Sequence, residues 1–185
     1  DLAPENPPVD WAEKIKHLPL QDLLKNVGGK KEIFDKMIVR KPNDKDWYKG
    51  GLYHDNMDFG VPSFWFVSWY DVATTPNIAL FNHVRKNSVD QFVNDNQYLV
   101  IAPTLHCGFT RATENTIVGE RSVGDARLNY DEQIYDWFDL MLKEKQNDFK
   151  ENTPRIQYYT MGSNKWQSSE VWPPENTEMT TFYLS

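Results

Sequence analysis

Two short apolar runs, each followed by a titratable residue, most constrain the fold of this chain. The first run, Phe64–Val67, is aromatic and β-branched, and Asp71 follows it. The second run, Tyr98–Pro103, leads to His106. Runs of this kind are typical of strands that are buried on both faces, as in a parallel sheet covered by helices. The sequence therefore predicts an α/β fold.

A predicted helix, from about Pro76 to Lys86, separates the two strands. A strand, a helix and a second parallel strand form one crossover, so both strand ends should open on the same edge of the sheet. His106 lies 35 positions after Asp71, and the two side chains should meet there. In a Ser-His-Asp triad the acid orients the histidine, which takes the serine proton. The spacing alone also fits a capping aspartate and an ordinary loop histidine.

The whole chain divides into three predicted parts. Residues 1–45 contain short helical patterns and no strand pattern, and residues 46–150 contain the two strands. This second part ends in a strongly amphipathic helix over Tyr130–Lys145, whose apolar residues recur every three or four positions. Residues 151–185 are typical of the opening strands of an all-β domain. The two β-prone segments of this last part are Ile156–Met161 and Thr180–Leu184.

Three stretches carry little periodicity and are predicted to be irregular. They are residues 42–60, 90–96 and 109–130. Glycine and acidic residues recur in the first of them, and the other two lack a sustained apolar pattern.

Composition excludes several classes of function. The net charge of −7 argues against binding to nucleic acid or to an anionic membrane, because no basic cluster offsets the acids. No apolar run reaches the length of about 18 residues that a transmembrane helix needs. The single cysteine, Cys107, rules out an intrachain disulfide, and with scattered histidines it does not form a zinc site. We therefore expect neither a metal nor an organic cofactor.

Several other residues are candidates for a functional role. Trp69 and Tyr70 adjoin Asp71 and are predicted to line a substrate pocket. Cys107 adjoins His106, but adjacent loop residues seldom point at each other, so packing is favoured over a nucleophilic role. The remaining histidines are predicted to be structural or exposed, and Asp125 and Arg127 to form a loop-ordering pair. Those histidines are His17, His54 and His83.

Four motifs occur in a fixed order along the chain. This order closely resembles the cocaine esterase and X-prolyl dipeptidyl-peptidase family of serine hydrolases, which includes glutaryl acylases and α-amino-acid ester hydrolases. The resemblance covers roughly residues 45–185. The motifs are Ser68–Asp71, Ile101–His106, Trp137–Lys143, and Tyr159–Gly162 together with Trp166 and Trp172-Pro173.

The resemblance implies a site, a domain plan and a missing part. Asp71 matches the triad acid of the family, and His106 matches the triad histidine. The chain would be the C-terminal part of an α/β-hydrolase sheet with a helical cap remnant and the first strands of a β jelly roll. No Gly-x-Ser-x-Gly elbow occurs in the sequence, so the nucleophile would lie upstream of Asp1. We therefore expect a fragment that is inactive alone, from an enzyme that cleaves ester or amide bonds.

The sequence departs from the family at two places. Ala102-Pro103-Thr104 stands where the family has a Gly-Pro-Trp pattern. Val72, Ala73 and Thr74 stand where the amino-acid ester hydrolases place acids, so we do not expect them to bind a free α-amine.

Expected partners are a small ester, amide or peptide substrate and the missing N-terminal part of the same enzyme. An exposed apolar sheet edge would also favour a homo-oligomer. Two alternatives from other classes stay open at this point: a noncatalytic binding module, and a structural fragment of a larger protein.

Overall fold

The chain forms two compact units that divide between residues 54 and 55. A computed structural model describes residues 8–30, 33–50 and 56–184. His54, which the sequence placed among the structural or exposed histidines, lies outside the described residues.

The N-terminal unit contains the short helices that the sequence predicted. Asp10 caps the first of them by accepting a hydrogen bond from the backbone N–H of Glu13 at 3.2 Å. Gly28 follows the second, with a φ of +74° that favours glycine. The α-helices are α1 Trp11–Lys14, α2 Leu23–Asn26 and α3 Ile33–Met37, and the 3₁₀ turns are Leu20–Asp22 and Lys45–Gly50.

The C-terminal unit is a mixed α/β structure. Its strands are β1 Ser63–Tyr70, β2 Gln97–Leu105, β3 Thr116–Val118, β4 Arg121–Gly124, β5 Ile156–Thr160 and β6 Lys165–Ser169. Its α-helices are α4 Thr74–Asn87, α5 Gln91–Asp95, α6 Tyr130–Lys143 and α7 Phe149–Asn152, and Phe109–Arg111 is a 3₁₀ turn. The main sheet has the strand order β1-β2-β5-β6, while β3 and β4 pair separately. Strands β1, β2 and β5 are parallel, and β6 is antiparallel to β5.

The burial of the two predicted strands differs. Strand β2 is buried along Gln97–Thr104, as predicted. Strand β1 is only half-buried over Ser63–Phe66, so the prediction of burial on both faces was wrong there. Strand β1 is the first strand of the sheet, so no neighbouring strand of the described residues shelters its side chains on the outer side. Self-association through this edge stays a prediction.

Two stretches predicted to be irregular contain regular structure. Residues 90–96 include helix α5, because the Asp90 side chain accepts the N–H of Phe92 at 2.8 Å and caps it. Residues 109–130 include the β3–β4 hairpin, whose strands are too short to show an alternating pattern.

Only one of the two β-prone segments near the C-terminus forms a strand. Ile156–Thr160 forms β5, next to β2 in the main sheet. The sheet therefore crosses the predicted boundary at residue 150, and a separate jelly-roll domain over 151–185 remains a prediction. Residues 180–184 form no strand, so that prediction was wrong; they are exposed and pair with no strand of the described residues. No helix among the described residues has the length and apolarity to cross a bilayer.

Helix α4 covers one face of the sheet through a small apolar core. Phe81 is fully buried and packs with Ile78 of the same helix against Val67, Leu99 and Ile101 of the strands. This packing holds β1 and β2 together beneath their carboxyl ends.

Replacing Phe81 with alanine should lower the free energy of unfolding by about 3–5 kcal/mol, because the cavity cannot fully collapse. Urea denaturation followed by circular dichroism measures the loss. Phe92→Ala is the matched control, since Phe92 is 55% exposed and should change stability far less. Equal losses in the two variants would show that this core does not dominate the stability.

Candidate active site

Asp71 and His106 meet where β1 and β2 end side by side. The Asp71 Oδ2 atom lies 2.6 Å from Nδ1 of His106, within hydrogen-bonding distance. The strands are paired from Ser63 with Gln97 to Tyr70 with Leu105, so the next residue of each chain segment extends from the same edge. The structure thus brings together the two residues that the sequence singled out.

Local hydrogen bonds hold Asp71 in place. Its Oδ1 atom accepts the backbone N–H of Ala73 at 2.9 Å, while its backbone carbonyl accepts the hydroxyl of Thr74 at 2.7 Å. Each carboxylate oxygen therefore has its own partner. The Ala73 N–H, followed by the hydrogen bond to His106, lowers the pKa of Asp71 below its ordinary value of 3.8. The side chain is ionised at neutral pH.

A tight turn presents His106. The Gly108 N–H donates to the Leu105 carbonyl at 2.9 Å, and Cys107 inside the turn has a φ of +52°. A side chain at Gly108 would place its Cβ 3.0 Å from the Leu105 oxygen, which explains the glycine. The Asp71 side chain is 12% exposed and that of His106 is 71% exposed, so the acid is sheltered and the imidazole is accessible.

The geometry defines what this pair can do chemically. An ionised carboxylate at Nδ1 favours the neutral tautomer that carries its proton there, which leaves a lone pair on Nε2. Nε2 can then accept a proton from a hydroxyl group and return it later. The pair therefore has the geometry that an acid-oriented general base requires.

The two aromatic residues predicted to line a pocket lie in different surroundings. The Trp69 indole donates its Nε1–H to the Tyr159 carbonyl at 2.7 Å, and its ring contacts Trp172 at a centroid distance of 5.9 Å. This places Trp69 against the core. Tyr70 is exposed beside Asp71. A pocket role for either residue stays a prediction.

The other candidates lie apart from the pair or serve local structure. Arg127 forms ion pairs with Asp125 at 2.7 Å and with Glu114 at 2.8 Å, close to the end of β4. His83 lies on α4, where its ring contacts the Asn87 amide. Cys107 is exposed. No group of three or more metal-ligating side chains occurs among the described residues.

Sequence reasoning missed the hydroxyl groups beneath the pair. Ser68 and Thr104 share a buried hydrogen bond of 3.0 Å, and Thr74 donates to the Ser68 carbonyl at 2.6 Å. A signal was present: Pro103 cannot donate to a ladder, so a proline within a buried strand indicates a local bulge.

The fold and the acid–histidine pair define the class as an α/β-hydrolase-like protein. The family model described as X-Pro dipeptidyl-peptidase (S15 family) matches residues 3–108. A second model, described as the X-Pro dipeptidyl-peptidase C-terminal non-catalytic domain, matches residues 147–185. Because the first match covers more than half of the chain, the chain belongs to the X-Pro dipeptidyl-peptidase (S15) family of serine hydrolases. The resemblance drawn from the motifs is confirmed.

Solved structures share the fold at low identity. An aminopeptidase from the marine sediment archaeon Thaumarchaeota archaeon is 18% identical with a TM-score of 0.56, over 82% of this chain and 24% of that one. A CocE/NonD family hydrolase from Staphylococcus aureus is 14% identical with a TM-score of 0.54, over 85% and 25%. An α-amino acid ester hydrolase is 18% identical with a TM-score of 0.57, over 89% and 26%. The chain spans about a quarter of the length of these proteins. A search of curated proteins found no match.

Proposed function

We propose that this chain is part of a serine hydrolase that cleaves ester or amide bonds, including X-prolyl peptide bonds, through a Ser-His-Asp triad. Asp71 is the acid and His106 is the base. The observation that carries the proposal is the 2.6 Å contact between these two residues at the ends of adjacent parallel strands. Membership of a serine hydrolase family supports the same assignment.

The nucleophilic serine is proposed to come from another segment of a longer enzyme. No serine of this chain stands in the Gly-x-Ser-x-Gly context that exposes a nucleophile on a sharp turn. Ser68 is the serine nearest to Asp71 in the sequence, but its hydroxyl is buried against Thr104. The chain alone is therefore proposed to be inactive, since it holds a base without the group that the base activates.

In the complete enzyme, the residues act in two matched half-reactions. The Nε2 atom of His106 takes the hydroxyl proton as the serine oxygen bonds to the substrate carbonyl carbon. The imidazolium then gives this proton to the leaving alcohol or amine, and an acyl-enzyme remains. Water repeats the sequence and releases the acid. Asp71 stays ionised throughout and stabilises the imidazolium.

The residues next to the acid offer no carboxylate that could pair with a substrate amine. Val72, Ala73 and Thr74 follow Asp71, and none of them carries a charge. An ammonium group beside the acid would find no carboxylate of these three residues to pair with. Recognition of a free amine, if the complete enzyme has it, is thus assigned to other segments.

A fluorophosphonate probe tests the proposal directly. The complete enzyme should react at a single serine outside these 185 residues, and His106→Gln should slow the reaction sharply, because the base no longer activates the hydroxyl. Mass spectrometry of the labelled peptides identifies the site. His17→Gln, on an exposed residue of the N-terminal unit, is the control and should label at the normal rate. An enzyme that does not label at all would instead be a noncatalytic binding module.

A further inference from the structure

The pairing of β1 with β2 shifts by one residue just before the candidate site. Ser68 lies opposite Ala102, whereas Tyr70 lies opposite Leu105. Between these pairs β1 advances two residues and β2 advances three. Strand β2 therefore contains an extra residue, at Pro103 or Thr104. Pro103 cannot donate a ladder hydrogen bond, which makes this the natural place for the interruption.

The extra residue decides which side chain meets the acid. In the shifted register the pair after Tyr70 and Leu105 is Asp71 and His106, and these two are hydrogen-bonded. In the unshifted register that continues from Ser68 and Ala102, Asp71 would instead lie opposite Leu105. A slip of one residue also reverses which face a strand side chain occupies. The acid–histidine contact thus depends on this irregularity.

A buried pair of hydroxyl groups lies at the irregularity itself. Ser68 is 2% exposed and Thr104 is 5% exposed, and their oxygen atoms are 3.0 Å apart. The Thr74 hydroxyl lies 2.6 Å from the Ser68 carbonyl and 2.7 Å from that of Asp71. These hydrogen bonds join Thr104 of β2, through Ser68, to the turn that holds the acid.

We infer that Ser68 and Thr104 are positioning residues whose hydrogen bond holds the shifted register of β2 and so aligns His106 with Asp71. Neither residue touches the reacting atoms; each acts through the alignment. The inference deepens the proposed function and rests on it only for the catalytic meaning of the alignment. Whether the alignment depends on the hydroxyl pair can be measured without any turnover.

The test is side-chain NMR on the ¹⁵N-labelled chain, in the pH range where the imidazole is neutral. The wild type should show His106 as a single Nδ1–H tautomer, with a downfield Nδ1 proton held by Asp71. Thr104→Val keeps the shape but removes the hydroxyl, and Ser68→Ala removes the other partner. Both should lose the downfield proton signal and shift to a mixture of tautomers. Thr104→Ser, which restores a hydroxyl, should recover the signal.

A control on the same two strands separates alignment from general stability. At their opposite end the Trp65 Nε1–H donates to Gln97 Oε1 at 2.8 Å, which is also a hydrogen bond between β1 and β2. Trp65→Phe should lower the melting temperature and leave the His106 signals unchanged. If one valine or alanine variant fails to fold, the other, with Thr104→Ser, still decides the question. Retention of the single tautomer in a folded Thr104→Val or Ser68→Ala variant would overturn the inference.

Kinetics of the complete enzyme give the second readout. Thr104→Val should lower kcat about 10- to 100-fold with little change in KM, since misplacement of a catalytic group by about 1 Å costs this much. Thr104→Ser should restore most of kcat. If the tautomer changes as expected but the wild-type enzyme hydrolyses nothing, the proposed function fails and the alignment stands. If kcat is unchanged in an active Thr104→Val enzyme, the inference fails and the hydrolase assignment stands.

Discussion

His106→Gln in the complete enzyme should lower kcat by about 10⁶-fold, the loss that removal of a triad histidine produces in serine proteases. Glutamine cannot accept the serine proton at neutral pH, so the nucleophile stays a weakly reactive hydroxyl group. The His106 side chain is 71% exposed and lies on a turn, so its replacement should leave the fold intact. Hydrolysis of a chromogenic ester and of an X-prolyl amide, with circular dichroism on the same samples, measures both effects.

The control for this variant is His83→Gln. His83 lies on α4 and contacts Asn87 of the same helix rather than Asp71. Its replacement should leave kcat within about twofold of the wild type, as expected for a surface change away from the site. An active His106→Gln enzyme would remove this residue from the mechanism.

Asp71→Asn should lower kcat by about 10⁴-fold, as the corresponding change does in a Ser-His-Asp protease. The amide can donate to Nδ1, which favours the wrong tautomer of His106 and takes the lone pair away from Nε2. The amide also cannot stabilise the imidazolium that forms during the reaction. Wild-type KM with a much reduced kcat is the expected pattern.

The same variant has a pH signature. The folded chain holds the pKa of Asp71 below 3.8, so folding disfavours protonation of this carboxylate. The stability that Asp71 contributes is present above this value and is lost as the pH falls through the lower, folded pKa. Wild type and Asp71→Asn should therefore converge in stability as the solution becomes strongly acidic. Urea denaturation across the acid range measures the difference.

Asp139→Asn is the matched control for both effects. Lys143 and Lys145 hydrogen-bond to Asp139 and lower its pKa in the same direction. This variant should show a similar convergence in acid but keep the wild-type kcat, because Asp139 lies on α6 and has no contact with His106. An Asp71→Asn enzyme with normal kcat would show that His106 acts as a base without Asp71.

Local patterns in the sequence placed Asp71 and His106 at two strand ends, and the family resemblance then assigned them as the triad acid and histidine. The two apolar runs ending at Asp71 and His106 and the helix between them follow from residue type and spacing alone. The edge position of β1 could not be predicted from these patterns, because strand order depends on pairing between segments far apart in the chain. The β3–β4 hairpin was missed because three or four residues are too few for periodicity.

The contact between the Ser68 and Thr104 hydroxyl groups could not be predicted either, for the same reason. Ser68 and Thr104 are unremarkable in sequence, and only the pairing register of β1 and β2 makes them neighbours. Pro103 was the one local sign that the ladder is interrupted. A proline inside an otherwise apolar strand, two or three residues before a histidine, is thus informative about where that histidine will point.

The indole of Trp69 has a practical consequence for anyone who wishes to redesign substrate preference. Its hydrogen bond to the Tyr159 carbonyl reaches past β2 and clasps β1 to the third strand of the sheet. Libraries that randomise Trp69 together with Tyr70 would therefore combine any change at the predicted pocket with a loss of scaffold stability. Variation at Tyr70 alone, with Trp69 unchanged, would test the predicted pocket without that structural effect.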